Sequence, residues 1–473
     1  MPAPSLGATV GIEPAAMHRP GPEREDAWTR YAGERLPRYT SYPTAAQFHP
    51  GICADDYRAW IGALEPQARV SLYLHIPFCA SLCWYCGCHT TVTRRQEPVE
   101  RYLRALHREI GAVADEAPGP LPVGHIHFGG GTPTIVGPKA FGALVQALAE
   151  RFRIEPGAEI AVETDPRELT TEMADALGKA GVTRASIGVQ TFDPAVQAAI
   201  NRVQSFAETE AATQALRGAG VGAINLDVLY GLPGQTVRSC RETIERCLDL
   251  RPDRFAVFGY AHVVAFKKHQ RLIDAAQLPD VRARQEQAEA IGEALQAAGY
   301  VRVGFDHFAL PTDRLARAAA EGTLRRNFQG YTTDTCDTLI GFGASAIGRL
   351  PQGYIQNEVP VGTYCERVQR DGLATVKGYR LGEDDRLRAE IIERLMCDLD
   401  VDLAAVCGRH GADIAPVLEP ALPRLTQLAA DGIVAIDGSR VRVPEESRLL
   451  VRLAAAAFDA QLALAGRTFS RAV

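Results

Sequence analysis

Four cysteines fall within ten residues in the stretch CASLCWYCGC: Cys79, Cys83, Cys86 and Cys88. Thiols this close can pair as disulfides, hold zinc or carry an iron–sulfur cluster. The chain has 473 residues, eleven cysteines and a net charge of −6. No apolar run reaches the ~20 residues that span a bilayer, and the N-terminus lacks the basic-then-apolar layout of a secretory signal. These features place the chain in the cytoplasm, where thiols stay reduced. The acidic balance gives no sign of nucleic-acid or anionic-membrane binding. A closed zinc site takes four ligands, typically as two separated pairs. Here Cys83 and Cys86 make one pair and no second pair follows. Cys79, Cys83 and Cys86 read Cx3Cx2C, and three thiolates on a [4Fe–4S] cubane leave one iron open to a small molecule. The other seven cysteines (Cys53, Cys240, Cys247, Cys336, Cys365, Cys397 and Cys407) are scattered singly and read as small core residues.

Further polar residues stand where apolar runs end. HFGGGTPT carries Gly129, Gly130 and Gly131, which let a ligand approach the backbone. Successive amides there are expected to be able to bind a carboxylate or a ribose. Glu163 ends an apolar run in VETDPREL, Gln190 ends one in SIGVQTF, and Asp227 interrupts one in INLDVLYG. Arg202 adds a cation in NRVQ. Any one of these is a solvated strand end; recurring at successive strands, they describe a site at the mouth of a barrel.

Positioning such residues takes a regular scaffold. Short β-rich runs at 71–76, 123–128, 159–164, 183–189, 222–229 and 254–260 alternate with helical periodicity at 98–117, 138–152, 171–181 and 205–220. This alternation predicts an α/β fold, an incomplete (β/α)6 TIM-like barrel over 71–379. Residues 1–30, rich in Pro, Ala and Gly, read as a disordered leader, and 31–70 as a segment covering the barrel. From 380 to 473 the pattern becomes mainly helical. The run GEDDRLRAEIIERLMCDLDVDLAAV reads as one helix, APVLEPALPRLTQLAADG as a second, IVAIDGSRVRV as a hairpin and 445–465 as a final helix. This is a winged-helix-like module without a basic recognition helix, read as a packing or lid domain.

The Cx3Cx2C loop resembles the signature of radical S-adenosylmethionine enzymes. In that superfamily the open iron chelates the methionine moiety, and one electron releases a 5′-deoxyadenosyl radical. The wider set PRYTSYPTAAQF, YLHIPFCASLCWYCGCHTTVTR, HFGGGTPT, ETDPREL, GVQTF, NRVQ, NLDVLYGLPGQT, FGYAHV, DHFA and RRNFQGYTTD resembles one family, the oxygen-independent coproporphyrinogen III oxidases. The resemblance implies oxidative decarboxylation of two propionates of coproporphyrinogen III. It implies cluster ligation by Cys79, Cys83 and Cys86, with Cys88 outside the ligand set, and two S-adenosylmethionine molecules. The first would meet Tyr73, Tyr85, Gly130, Glu163 and Ile347. The second would meet Gly131, Thr132, Gln190, Arg202, Asp227 and Ala261. Glu163, Phe328 and Ile347 are the catalytic candidates. Arg38, Arg325, Arg326 and Gln329 are candidate partners for propionates, because burying unpaired carboxylates is costly. A flavodoxin or ferredoxin would donate electrons to a monomeric enzyme. The rivals are a related haem chaperone, which typically lacks the CGC cysteine and the RYTSYPT element, and a noncatalytic iron–sulfur protein. The sequence departs from the family at AHVVAFKKHQ, at Phe305 and at VRLAAAAFD.

Overall fold

The computed structural model describes residues 28–462 and Phe469, so the expected leader lies almost wholly outside the described residues. The chain divides into two compact units. One is Pro43–Gly382; the other joins the stretch up to Tyr42 with the stretch from Glu383.

The first unit is built on a twelve-stranded sheet. Its centre is seven parallel strands: β1 (Val70–Ile76), β2 (Pro122–Gly130), β3 (Arg153–Thr164), β4 (Arg184–Gln190), β5 (Ala223–Tyr230), β6 (Arg254–Gly259) and β7 (Thr338–Phe342). They run in the order β7-β1-β2-β3-β4-β5-β6. The first six match the alternation expected from the sequence. The seventh was not expected: TLIGF is only five residues and buried throughout, and it follows β6 only after the helices Val281–Ala297 and Arg314–Ala320 and two short antiparallel strands between them. Parallel strands covered on both faces read as continuous apolar runs, and β1 shows this, with six of its seven residues buried. Antiparallel strands extend both ends: Ile347–Leu350, Gly353–Asn357 and Thr375–Arg380 beyond β7, His307–Ala309 and Val301–Val303 beyond β6. The two outermost strands do not pair, so the barrel is open.

The crossover helices start where local chemistry satisfies their free amides. Thr170, Ser205 and Thr236 cap the helices Thr171–Lys179, Phe206–Gly218 and Val237–Asp249, each side chain accepting from a first-turn amide. Each such cap is worth about 1 kcal/mol. Cys53 also caps a helix, Ala54–Gly62, in a reciprocal arrangement with Asp56. It is exposed and Cys336 is half-buried, so these two are not the core residues expected; the other five scattered cysteines are buried.

In the second unit Glu383–Asp398 is helical, but the expected single helix stops there. Leu399 adopts a left-handed φ of 59°, and Asp400–Asp402 then forms a strand before the helix Leu403–Arg409. No glycine marks this break, which is why the sequence hid it. The strand pairs with Arg440–Arg442, which pairs with Ala435–Asp437 in the expected hairpin. The helix Ala415–Ala430 carries one arginine, Arg424, bound to Glu34 at 2.7 Å. The expected helix over 445–465 is a 3-10 turn, Glu445–Leu450, followed by Val451–Ala457; part of its tail lies outside the described residues. Among the described residues, no helix is long and apolar enough to cross a membrane.

One buried polar knot ties the long helix Gln96–Glu116 to the sheet. Glu109 accepts from the Gly343 amide (2.7 Å), Asn357 Nδ2 (2.6 Å) and the Tyr364 hydroxyl (2.8 Å). The Tyr102 hydroxyl donates to the His75 carbonyl at 2.6 Å and accepts from the Ala344 amide at 3.0 Å. Gly343 has φ +98°, and a Cβ there would collide with the Tyr102 hydroxyl and the His75 carbonyl. Burial pushes the Glu109 carboxyl up to about 7, against these hydrogen bonds. An acid whose folded pKa is raised holds its proton when folded after the unfolded chain has lost it. Its contribution to stability is therefore full below the unfolded value near 4.5 and lost as pH rises to about 7. Glu109→Gln does not titrate. We expect the stability gap between wild type and this variant to shrink by on the order of 2–3 kcal/mol between pH 5 and pH 7.5. Urea unfolding at the two pH values measures it, and a constant gap would refute a titrating Glu109.

Candidate active site

The site begins at the C-terminal end of β1. Cys79, Cys83 and Cys86 sit on the loop that follows it, and Cys83 is buried. This loop is held less by its own bonds than by side chains from elsewhere. Asn201 donates to the Leu82 carbonyl (2.7 Å), Gln270 to that of Tyr85 (2.9 Å) and Lys267 to that of Cys88 (2.8 Å). His269 Nε2 lies 2.9 Å from the Cys86 carbonyl. The Trp84 amide donates to Ile200 (2.9 Å). The segment 267–270 that supplies three of these contacts belongs to AHVVAFKKHQ, where the sequence departs from the family it resembles.

Each thiol has a polar neighbour. Thr132 Oγ1 donates to Cys79 Sγ at 3.6 Å, Arg202 Nη1 to Cys83 Sγ at 3.5 Å and Arg167 Nη2 to the same sulfur at 3.6 Å. The Cys88 amide donates to Cys86 Sγ at 3.4 Å. Hydrogen bonding from Cys88, helped by the charge of Lys267, outweighs burial and pulls the Cys86 thiol down to about 6; burial pushes that of Cys79 up to about 11. Among the described residues, no three Cys, His, Asp or Glu side chains converge on a single-ion site. Three thiols on one loop, each with its own donor, instead suit a [4Fe–4S] cubane, which presents a separate iron to each ligand.

Arg202 is the hub beneath them. It is buried, bonds to Asp165 Oδ2 at 3.0 Å, and donates through Nη2 to the Gly188 carbonyl at 2.5 Å. Asp165 also takes Arg167 at 2.6 Å. Asp165 and Arg167 were missed in the sequence, although both lie in ETDPREL beside Glu163. Gln190 closes β4 with φ 68°, a left-handed conformation costly for a non-glycine residue. Its amide nitrogen comes so near Gly188 that a Cβ there would lie 3.0 Å from it.

The three glycines of HFGGGTPT each have a steric reason. A Cβ at Gly129 would lie 2.8 Å from Glu163 Oε1; at Gly130, 2.7 Å from the His75 ring; at Gly131 it would strike the Phe78 carbonyl. The sequence led us to expect amides open to a ligand, but those of Gly130, Gly131 and Thr132 are already engaged. Gly130 N donates to Glu163 Oε2 (3.1 Å), Gly131 N to Ile76 (2.9 Å) and Thr132 N to Phe78 (2.7 Å). The turn spends its donors on locking β1, β2 and Glu163 together.

Glu163 has a second partner, His127 Nε2, at 3.2 Å, and the His127 ring stacks on Tyr73 with centroids 5.8 Å apart. Tyr73 reaches His75 Nδ1 at 2.9 Å, and His75 Nε2 faces the His89 carbonyl at 3.1 Å. A carbonyl only accepts, so His75 carries its proton on Nε2 and accepts a hydrogen bond from the Tyr73 hydroxyl at Nδ1. Burial opposes the Glu163 charge, but the bonds from His127 and Gly130 hold its carboxyl below the ordinary range. Asp227 differs. Ser186 (3.0 Å) and Asn225 (2.7 Å) donate to it, yet burial and then the charge of Glu163 push it up to about 7.

A cavity of about 190 Å³ runs inside the sheet between these carboxylates, lined also by His127, Ser186 and Gln329. Arg184 and Arg254 line it too, both held by Asp313 behind them, at 3.2 and 2.6 Å. Of the expected propionate partners, Gln329 lines the cavity. Arg325 instead pairs with Asp337 at 3.3 Å, and Arg326 lies over the rings of Phe305 (5.1 Å) and Tyr331 (4.4 Å). Arg38 belongs to the second unit and is exposed. Phe328 is half-buried in the turn between Arg325–Asn327 and Gly330–Thr332, edge-on to Tyr354. Ile347 opens the strand after Ser345, another residue with left-handed φ (64°). Tyr85 packs on an apolar cluster that includes Ile200 and Leu229, and the Ala261 carbonyl accepts from Gln270 at 3.2 Å.

Residues 73–247 match the family model of the radical SAM superfamily, and residues 381–450 that of the HemN C-terminal domain. The chain is 56% identical to the oxygen-independent coproporphyrinogen III oxidase of Bradyrhizobium diazoefficiens, over 95% of this chain and 100% of that one. With its counterpart from Paracoccus denitrificans it shares 42% over 90% and 94%. Its structure is similar to that of coproporphyrinogen III oxidase from Escherichia coli, described as a radical SAM enzyme. The TM-score is 0.86 at 37% identity, covering 91% of this chain and 100% of that one.

Serine in place of Cys79, Cys83 or Cys86 should each abolish the ~400 nm absorbance of an anaerobically reconstituted cluster, whereas Cys88→Ser should keep it. A normal iron content and spectrum in Cys83→Ser would refute the ligand set.

Proposed function

Since the chain belongs to the oxygen-independent coproporphyrinogen III oxidases, a radical S-adenosylmethionine family of haem biosynthesis, we propose that Cys79, Cys83 and Cys86 hold its [4Fe–4S] cluster beside two S-adenosylmethionine molecules. The reaction is the oxidative decarboxylation of two propionates of coproporphyrinogen III to vinyl groups, giving protoporphyrinogen IX. When bound, the cluster and S-adenosylmethionine supply a radical able to take an unactivated hydrogen atom. That atom comes from the propionate carbon attached to the pyrrole ring. The substrate then loses CO2 and one electron, and the double bond forms.

The chain's own groups bind and orient. The observation that carries the reading is the meeting, at the ends of β1 to β4, of three thiols, each hydrogen-bonded by its own protein donor, with an ionised, doubly anchored Glu163. Glu163 offers a fixed acceptor to the first S-adenosylmethionine, with Tyr73, Tyr85, Gly130 and Ile347 around it. Asp227, Gln190, Arg202, Gly131, Thr132 and Ala261 serve the second. Arg202 Nε is buried without a partner among the described residues, a donor available to a carboxylate. The cavity is smaller than the ~300–1000 Å³ of ordinary ligand pockets, so it receives a propionate arm, not the macrocycle. Phe328, at the hairpin turn, packs where the ring would lie. The enzyme acts as a monomer, with a flavodoxin or ferredoxin as donor.

Anaerobic reconstitution with iron, sulfide, S-adenosylmethionine, reductant and coproporphyrinogen III should yield protoporphyrinogen IX; absence of product with intact S-adenosylmethionine cleavage would overturn the substrate assignment. Glu163→Ala and Asp227→Ala should each lower turnover at least about tenfold, on the order of the loss of one well-placed polar contact. Their iron content should stay near that of wild type. Ultrafiltration should count two S-adenosylmethionine molecules per wild-type chain and one in Asp227→Ala. One in both would remove the second site.

A further inference from the structure

Among the described residues, five large apolar side chains are exposed: Val92, Val203, Phe266, Leu272 and Val301. All but Val301 lie on the cluster loop's own segment or on the two segments bonded to it. Val92 pairs, within Thr91–Val92, with the strand Phe78–Cys79. Val203 follows Arg202, the donor to Cys83. Phe266 and Leu272 flank the residues 267–270 that bind the carbonyls of Tyr85, Cys86 and Cys88. Phe266 is 58% exposed and Val203 70%. Exposed apolar residues scattered singly need no explanation; these four share segments that pair with or hydrogen-bond to the cluster loop.

The charge of these segments is as uneven. Residues 79–95 and 260–273 contain Arg94, Arg95, Lys267, Lys268 and Arg271 and no Asp or Glu, in a chain of net charge −6. Arg94, Arg95, Lys268 and Arg271 are exposed, as are Gly87, Cys88 and His89 between them. Exposed apolar and basic side chains carried by the same segments, next to thiols that hold a redox centre, fit a small and transient electron-transfer contact. The basic side chains steer an oppositely charged carrier to the surface, and the apolar side chains exclude water once it arrives.

We propose that the surface formed by Val92, Val203, Phe266 and Leu272, together with Arg94, Arg95, Lys268 and Arg271, docks a small acidic one-electron carrier protein that reduces the cluster. The proposal rests on the reading that Cys79, Cys83 and Cys86 hold a cluster reduced by a soluble protein. Its occupant follows from charge: the four charged side chains are basic and their complement is acidic. Uptake of one electron reduces the cluster by one unit and oxidises the carrier by one, with no bond made or broken at the surface.

The test compares two reductants on the full-length reconstituted enzyme. In one arm an acidic flavodoxin, reduced to its hydroquinone, drives S-adenosylmethionine cleavage; in the other dithionite does. Lys268→Glu with Arg271→Glu, and separately Phe266→Ser, should lower the flavodoxin-driven rate at low salt by tenfold or more. Iron content and the dithionite-driven rate should stay within twofold of wild type. The wild-type flavodoxin rate should fall steeply with added salt, and that of the double variant should not. Equal loss in both arms would overturn the proposal, since the residues would then support the cluster loop. An unchanged flavodoxin rate would overturn it by placing the carrier elsewhere, and so would sedimentation showing a wild-type dimer that the variants dissociate. Failure of wild type to cleave S-adenosylmethionine even with dithionite would strike the cluster reading itself, and is distinct from all of these.

Discussion

Much of this site depends on one buried cation. Arg202 joins Asp165 after β3, the Gly188 carbonyl in β4 and the sulfur of Cys83. A guanidinium out of water is costly unless it is paired and its donors are used. The chain meets that cost with Asp165, whose second partner Arg167 also reaches Cys83. The group therefore couples the placement of a thiol to the register of two strands. A loop that must carry three reactive sulfurs in a fixed relation has few backbone bonds of its own. Its rigidity comes from donors on 201, 267, 269 and 270 aimed at its carbonyls.

The same economy governs the two carboxylates. Glu163 and Asp227 line one cavity, and two anions so placed resist ionising together. The structure separates them by hydrogen bonding. Glu163 takes a backbone amide and an imidazole and stays charged, whereas Asp227, with neutral donors from Ser186 and Asn225, is raised to about 7. The glycines of HFGGGTPT are part of this division. They are small because Glu163, His75 and the Phe78 carbonyl occupy the space a side chain would need, and the amides of Gly130 and Gly131 are committed before any ligand arrives.

The segment 261–273 shows how a departure in sequence can remain part of a site. It still contacts three carbonyls of the cluster loop through Lys267, His269 and Gln270. Gln270 also binds Ala261 and the Val263 amide, closing the segment on itself. Its outward side is apolar and basic.

The sequence by itself determined the spacing of the thiols, the six β/α units and the hairpin of the second unit, because each is a local pattern of a few neighbouring residues. It also determined that Glu163, Gln190 and Asp227 would end or interrupt consecutive strands. Only the tertiary structure decided what those residues touch. Arg202 lies 119 positions from Cys83 and Gln270 lies 185 from Tyr85, so no window of sequence links them. The left-handed turn at Leu399 and the short strand β7 were hidden for the same reason: packing from distant segments, not local propensity, holds them. The fate of the arginines in RRNFQGYTTD was set that way too. Arg325 and Arg326 have the same charge and adjacent positions, but strand alternation sends one toward Asp337 at the surface and the other between two aromatic rings.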